Sequence, residues 1–147
     1  MSMVDVTAKP EIYREAKAKG AIKLKPDTIR LIREGKVEKG DPFIVAKVAG
    51  ILAAKNTSSL IPLCHPLPLT SVEVDLQIVD DSTVEVETTV KTRAQTGVEM
   101  EALVAAAVAL LTVWDMTKQY EKDKRGQYPH TVVQDIRVVQ KTKEEDR

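Results

Sequence analysis

The fold is decided by TSVEVDLQIVDDSTVEVETTVK, residues 70–91. Val72, Val74, Leu76 and Ile78 alternate with Glu73, Asp75 and Gln77. After the turn sequence DDST, Val84, Val86, Thr88 and Val90 alternate with Glu85, Glu87, Thr89 and Lys91. A period of two puts the valines on one face and the charges on the other, so the stretch reads as an antiparallel hairpin with one apolar face.

Upstream, Glu11–Lys25 alternates loosely and holds a strand within Ile12–Leu24, although its Ala and Lys also suit a helix. Pro26 with Asp27 opens a short helix that Gly35 stops. Asp41-Pro42 is a cap followed by a first-turn proline. It starts a helix to about Lys55 whose apolar face is Ile44, Val48, Ile51 and Leu52, and NTSS ends it. Downstream, Thr96-Gly-Val-Glu99 fits a capping box for a long Ala-rich helix from about Val98 to about Lys122. Thr131–Gln140 is a last strand. Residues 1–10 read as an irregular arm and 141–147 as a frayed tail. The order is strand, helices, strand, strand, long helix, strand. It predicts one α+β domain over 1–147, a ferredoxin-like plait with helices on one face of an antiparallel sheet and an added helix. The other sheet face needs a cover, which an oligomer would supply.

Composition narrows the function classes. With 147 residues a core can form without disulfides or a structural metal. Lys plus Arg equals Asp plus Glu, 22 each, and aromatics are 3%, so neither the basic footprint nor the stacking platform of a nucleic-acid binder is present. A single cysteine forms no internal disulfide, the N-terminus does not read as a signal peptide, and no apolar run reaches about 18 residues. The expectation is a cytoplasmic protein with no membrane and no nucleic-acid partner.

Four segments could carry chemistry. IPLCHPLPL, residues 61–69, holds three of the seven prolines, the only cysteine and one of two histidines. Adjacent residues of an extended chain point apart, so Cys64 and His65 are not expected to act as a dyad. Cys64 reads as a small buried hydrophobe. Prolines on both sides hold the His65 imidazole in a defined place. One Cys and two His are too few for zinc, so no metal site is expected. TGVEMEAL, residues 96–103, places Glu99 and Glu101 where a helix starts; capping and the helix dipole are the ordinary explanations. WDMTK, residues 114–118, puts Asp115 and Lys118 on one helix face, which is otherwise a surface ion pair. Lys39-Gly40-Asp41 sets a lysine before a capped helix, where it is either an anion ligand or a solvated loop residue. Glu101 and Asp115 are fourteen residues apart, roughly 21 Å of helix. One small-molecule site cannot easily hold both from the same chain, so a second subunit would complete it.

KGD, AGILAAKNTSSLIPLCHPLPL, TGVEMEAL and DMTK, with the arm MVDVTAKPEIYREA, together resemble the cyclic pyranopterin monophosphate synthase family, the C protein of molybdenum-cofactor biosynthesis. The resemblance covers about Met3–Lys124. It implies a lyase that converts 3',8-cyclo-7,8-dihydro-GTP to cyclic pyranopterin monophosphate with release of pyrophosphate. It also implies a ferredoxin-like plait assembled as a hexamer, a trimer of dimers with active sites between subunits. The implied catalytic residues are Lys39, His65, Asp115 and Lys118. Arg14, Cys64, His65, Glu99, Met100 and Glu101 are the implied substrate contacts. Cationic Lys39, Lys118 and Arg14 suit a triphosphate, His65 and a lysine suit proton transfer, and Asp115 would orient Lys118. Glu99 and Glu101, from the partner subunit, would grip the guanine-derived ring. No resident cofactor is implied, and Mg²⁺ accompanying the triphosphate is left open. The end VVQKTKEEDR departs from the family's Gly- and Ser-rich close, which puts any phosphate contact from Lys141 or Lys143 in doubt. Two rivals stand beside the lyase: a non-catalytic oligomeric nucleotide- or pterin-binding module, and a thiol hydrolase using Cys64.

Overall fold

The computed structural model describes residues 1–145. Its elements are β1 (Ile12–Lys23), α1 (Pro26–Arg33), α2 (Pro42–Lys55), α3 (Thr57–Leu60), β2 (Leu69–Asp80), β3 (Thr83–Ala94), α4 (Glu99–Glu121) and β4 (Val132–Glu144). The strands form one sheet in the order β2-β3-β1-β4, and every neighbouring pair is antiparallel. This is the ferredoxin-like α+β arrangement, with helices packed on one side.

The hairpin of β2 and β3 follows its alternation. Val74, Val84, Val86 and Val90 are buried, and Asp80 closes the turn by accepting from the Ser82 N–H at 2.9 Å. Thr88 is buried among the valines because its hydroxyl donates to the Ala102 carbonyl of α4 at 2.7 Å. In β1, Ile12, Arg14, Ala16, Ala18, Gly20 and Ile22 turn to the helices. The helical propensity of its Ala and Lys is overridden by pairing with β3 on one edge and β4 on the other. At Gly20 a Cβ would lie 2.9 Å from Leu110 Cδ1 and 3.0 Å from Ile136 Cγ1, so its absence lets α4 close on the sheet.

Two expectations are revised. First, β4 runs to Glu144 instead of ending at Gln140. Lys141, Lys143 and Glu144 pair with Ala16, Arg14 and Tyr13, so residues 141–144 are strand rather than frayed tail; the last two residues of that tail lie outside the described residues. Period-two patterning was hidden there because this edge strand is largely exposed on both faces. Second, α2 is capped as expected, Asp41 Oδ1 accepting from Phe43 N–H at 2.9 Å, but it turns its small face inward. Ala46, Gly50, Ala53 and Ala54 are buried, while Ile44, Val48 and Leu52 are 62%, 54% and 53% exposed. The helix is apolar all round, so the period identifies a face without saying which side the core takes. A Cβ on Gly50 would meet Val74 and the Ala105 carbonyl, which shows how closely α2 approaches α4 and β2. The sheet face away from the helices is charged, as the alternation of the hairpin predicts. Lys17, Lys19 and Lys91 pair there with Glu85, Glu87 and Glu15 at 3.6–3.9 Å, while apolar side chains lie open on α2 and along β4.

α4 is long and apolar enough, by length and composition, to cross a membrane, but half of its most apolar window is buried inside the protein. Ala102, Ala105, Ala106, Ala109, Leu110 and Val113 are all fully buried, as expected of a core helix against a sheet. At its end Glu121 is fully buried and satisfied: its carboxylate accepts from the Thr28 and Thr131 hydroxyls and from the Lys25 N–H, tying α1 and the β4 approach to α4.

Candidate functional site

The singled-out residues form two groups at different levels of α4. The first lines a cavity of about 330 Å³ bounded by Ile61, Leu63, Cys64, His65, Leu67, Thr96, Gly97, Glu99 and Met100. The proline-rich segment stands here as an ordered turn. The Cys64 N–H donates to the Ile61 carbonyl at 3.1 Å, and the Thr92 hydroxyl donates to the Pro68 carbonyl at 2.6 Å. His65 Nε2 lies 2.7 Å from the Val4 carbonyl of the N-terminal arm.

Glu99 and Glu101 are not tied up in capping. The expected capping box is absent: α4 begins at Glu99, its cap residue is Val98, and no side chain caps it. The helix starts too late for Thr96 to reach its first amides, so Glu99 is left free to turn over Gly97, where any Cβ would collide with Glu99 Oε1. Glu99 Oε2 pairs with Lys141 at 3.5 Å, and Glu101 Oε2 lies 3.9 Å from Cys64 Sγ. The other oxygens, Glu99 Oε1 and Glu101 Oε1, are buried without a hydrogen-bond partner among the described residues. Burial without partners is costly, which marks both as acceptors waiting for donors. Burial, assisted by the neighbouring Glu99 charge, pushes the Glu101 carboxyl above the usual range. Burial and Glu101 push the Cys64 thiol up as well, so the sulfur stays protonated, and its second neighbour is only the His65 carbonyl. An activated thiolate is the opposite case, and the Cys64 hydrolase loses its nucleophile.

The second group is one carboxylate shared by two lysines. Lys118 Nζ is 3.1 Å from Asp115 Oδ1, and Lys39 Nζ is 3.3 Å from Asp115 Oδ2 and 3.1 Å from the Asp115 carbonyl. Hydrogen bonds from Lys118 and then Lys39 hold the Asp115 carboxyl below its usual range. The Lys39 loop is fixed from three sides: Gly40 has φ 121°, Asp41 caps α2, and the Glu38 N–H donates to the Tyr120 hydroxyl at 2.8 Å. Lys39 therefore meets α4 across 76 residues of chain.

Arg14 belongs to neither group directly. It is buried, and its guanidinium donates to the carbonyls of Ala94, Gln95 and Pro10 at 2.9, 3.3 and 3.5 Å. It clamps the loop leading into Glu99. Lys141, set aside in the sequence, sits on Glu99 because the unforeseen extension of β4 carries it there. Among the described residues no group of three or more His, Cys, Asp or Glu side chains could hold a metal ion.

The sequence profile of the MoaC family matches residues 3–144, nearly the whole chain. The chain belongs to the MoaC family. A relative from Pyrococcus furiosus is 56% identical over 145 residues, 99% of this chain and 92% of that protein; it carries the name probable cyclic pyranopterin monophosphate synthase. Relatives with the same name occur in Saccharolobus solfataricus, at 54% identity over 98% of this chain and 96% of that protein, and in Thermococcus kodakarensis, at 53% over 99% and 93%. The MoaC match spans both residue groups and reaches through β4 to Glu144, so it takes in Lys141 as well as the motifs.

Proposed function

We propose that this protein is a cyclic pyranopterin monophosphate synthase, an enzyme of molybdenum-cofactor biosynthesis that converts 3',8-cyclo-7,8-dihydro-GTP to cyclic pyranopterin monophosphate and pyrophosphate. The observation that carries this reading is the division of the polar residues along α4. Unpaired carboxylate oxygens gather at one end and a Lys–Asp–Lys cluster stands fourteen residues further on. Half of the chemistry is donor recognition and half is phosphate neutralisation, so each active site takes one half from each of two subunits.

Glu99 and Glu101 accept from the N–H groups of the guanine-derived ring, with Met100 and Cys64 packing beside it. Lys39 and Lys118 face the triphosphate, their positions fixed by Asp115, while Arg14 holds the loop beneath Glu99. His65 and one of the lysines move the protons that ring opening and reclosure require. Any Mg²⁺ arrives with the phosphates, since the residues of the site offer it no cage of their own.

The exposed apolar side of α2 supports the assembly this needs. Ile44, Val48 and Leu52 on α2, and Leu111 on α4, are more exposed than a stable monomer normally leaves such side chains. A homo-oligomer, in our reading a hexamer built as a trimer of dimers in the cytoplasm, covers them. Anaerobic incubation with the cyclised dihydro-GTP tests the activity: pyrophosphate and pterin product appear together and are lost in Lys39→Ala. Binding of the triphosphate without product would instead make the protein a binding module.

A further inference from the structure

The N-terminal arm touches the His65 cavity with its backbone. The Asp5 carboxylate accepts from the N–H and hydroxyl of Thr7, which folds residues 5–7 into a turn, and the Lys9 N–H donates to the Val6 carbonyl at 2.9 Å. The folded arm is fastened at three carbonyls. Val4 meets His65 Nε2 at 2.7 Å, Thr7 accepts from Gln95 Nε2 at 3.3 Å, and Pro10 accepts from Arg14 at 3.5 Å. Apolar burial does little to hold the tip, since Val4 is 73% exposed. The contacts are polar; one falls on His65 in the cavity lining, and the other two on Gln95 and Arg14, beside the loop that leads into Glu99.

A carbonyl oxygen has no proton to give. At 2.7 Å from Val4 O, His65 Nε2 must be the donor, which excludes the neutral tautomer protonated only at Nδ1. We propose that the N-terminal arm is a positioning element of the active site, whose Val4 carbonyl locks neutral His65 as the Nε2–H tautomer and so makes Nδ1 the nitrogen that takes and returns a proton in the reaction. This rests on the synthase reading for the reaction, but not for the tautomer. When Nδ1 is protonated, the positive ring has Asp5 of the arm near it and Glu99, itself paired with Lys141, lining the same cavity. The Asp5 carboxyl is held below its ordinary range, chiefly by Thr7 and in lesser part by His65, so it is ionised and available as that partner.

The chain has only two histidines, so nitrogen-15 spectra of the imidazoles separate the two, and a His130→Gln variant assigns them. In the intact chain with His65 neutral, Nε2 is expected to carry the proton and Nδ1 to be bare. Deleting residues 2–7 is expected to spread His65 over both tautomers, leave His130 unmoved and lower kcat by about tenfold or more with a smaller change in KM. An intact chain showing Nδ1–H at His65 overturns the proposal with no variant needed. A deletion that moves neither the His65 resonances nor kcat overturns it too. If the deletion does not fold, Asp5→Asn, which keeps an acceptor for Thr7 and removes only the charge, and Asp5→Ala, which opens the turn as well, are compared: only Asp5→Ala must displace the His65 resonances as neutral His65 spreads over both tautomers. The tautomer is read without substrate. An intact chain that holds Nε2–H yet forms no product would therefore defeat the synthase reading and leave the arm's hold on His65 standing.

Discussion

At the scale of single residues, the two carboxylates on the first turn of α4 differ in what surrounds them. Glu101 is 3% exposed with one oxygen unpaired, and its carboxyl is raised by burial. A carboxyl raised on folding binds more protons in the native state than in the unfolded chain. Stability is therefore full below the ordinary carboxylate range and falls as pH rises through the ordinary value toward the raised one. Glu101→Gln removes that dependence, so its melting temperature, measured between pH 4 and 8, should gain on the parent chain as pH rises through the ordinary carboxylate value and level off once the raised one is passed. A constant difference would mean that Glu101 ionises no differently in the folded chain. Asp115 is shifted the other way. Held ionised by Lys118 and Lys39, it stays charged throughout the neutral range and is protonated only below the usual carboxylate range. Asp115→Asn should accordingly lower kcat by about a hundredfold at neutral pH, and an unchanged kcat would free Asp115 of any role in positioning the lysines.

At the scale of elements, two glycines separate fold from site. Gly20→Ala pushes a methyl against Leu110 and Ile136, where α4 meets β1 and β4; it should cost about 1–3 kcal/mol, read as a lower melting temperature. Gly97→Ala meets only the Glu99 carboxylate, the mobile end of a side chain. Its melting temperature should hold while KM for the cyclised nucleotide rises about tenfold, the loss of one charge-assisted hydrogen bond. The strands and helices were legible because alternation and caps are local: residues 70–91 form the hairpin, Pro26 and Pro42 open their helices, and Asp41 caps. The misread elements depend on tertiary context. Nothing local says that α2 buries Ala46 and Gly50 and leaves Ile44 outside. Nothing local says that β4 continues through Lys141 along β1, or that Glu99 leaves its cap for the cavity. The motif residues could be named from their spacing and family likeness. The roles of Arg14 and the Val4 carbonyl could not, because each acts through a contact made across 61 residues of chain or more.

At the scale of the whole molecule, the reading proposed above accounts for the two residue groups on α4 and the open apolar side of α2 together, by a partner copy. Leu52→Glu, on the exposed side, should leave the fold intact and shift the protein toward monomer in sedimentation, with product formation lost in parallel. The most direct measurement is subunit complementation. His65→Ala and Lys118→Ala chains, each inactive alone, are dissociated, mixed in equal amounts and reassembled, and pyrophosphate release from the cyclised dihydro-GTP is followed. If each site takes His65 from one subunit and Lys118 from another, random assembly restores about a quarter of the parent activity. Mixed assemblies that form and remain inactive would contradict a site shared between subunits.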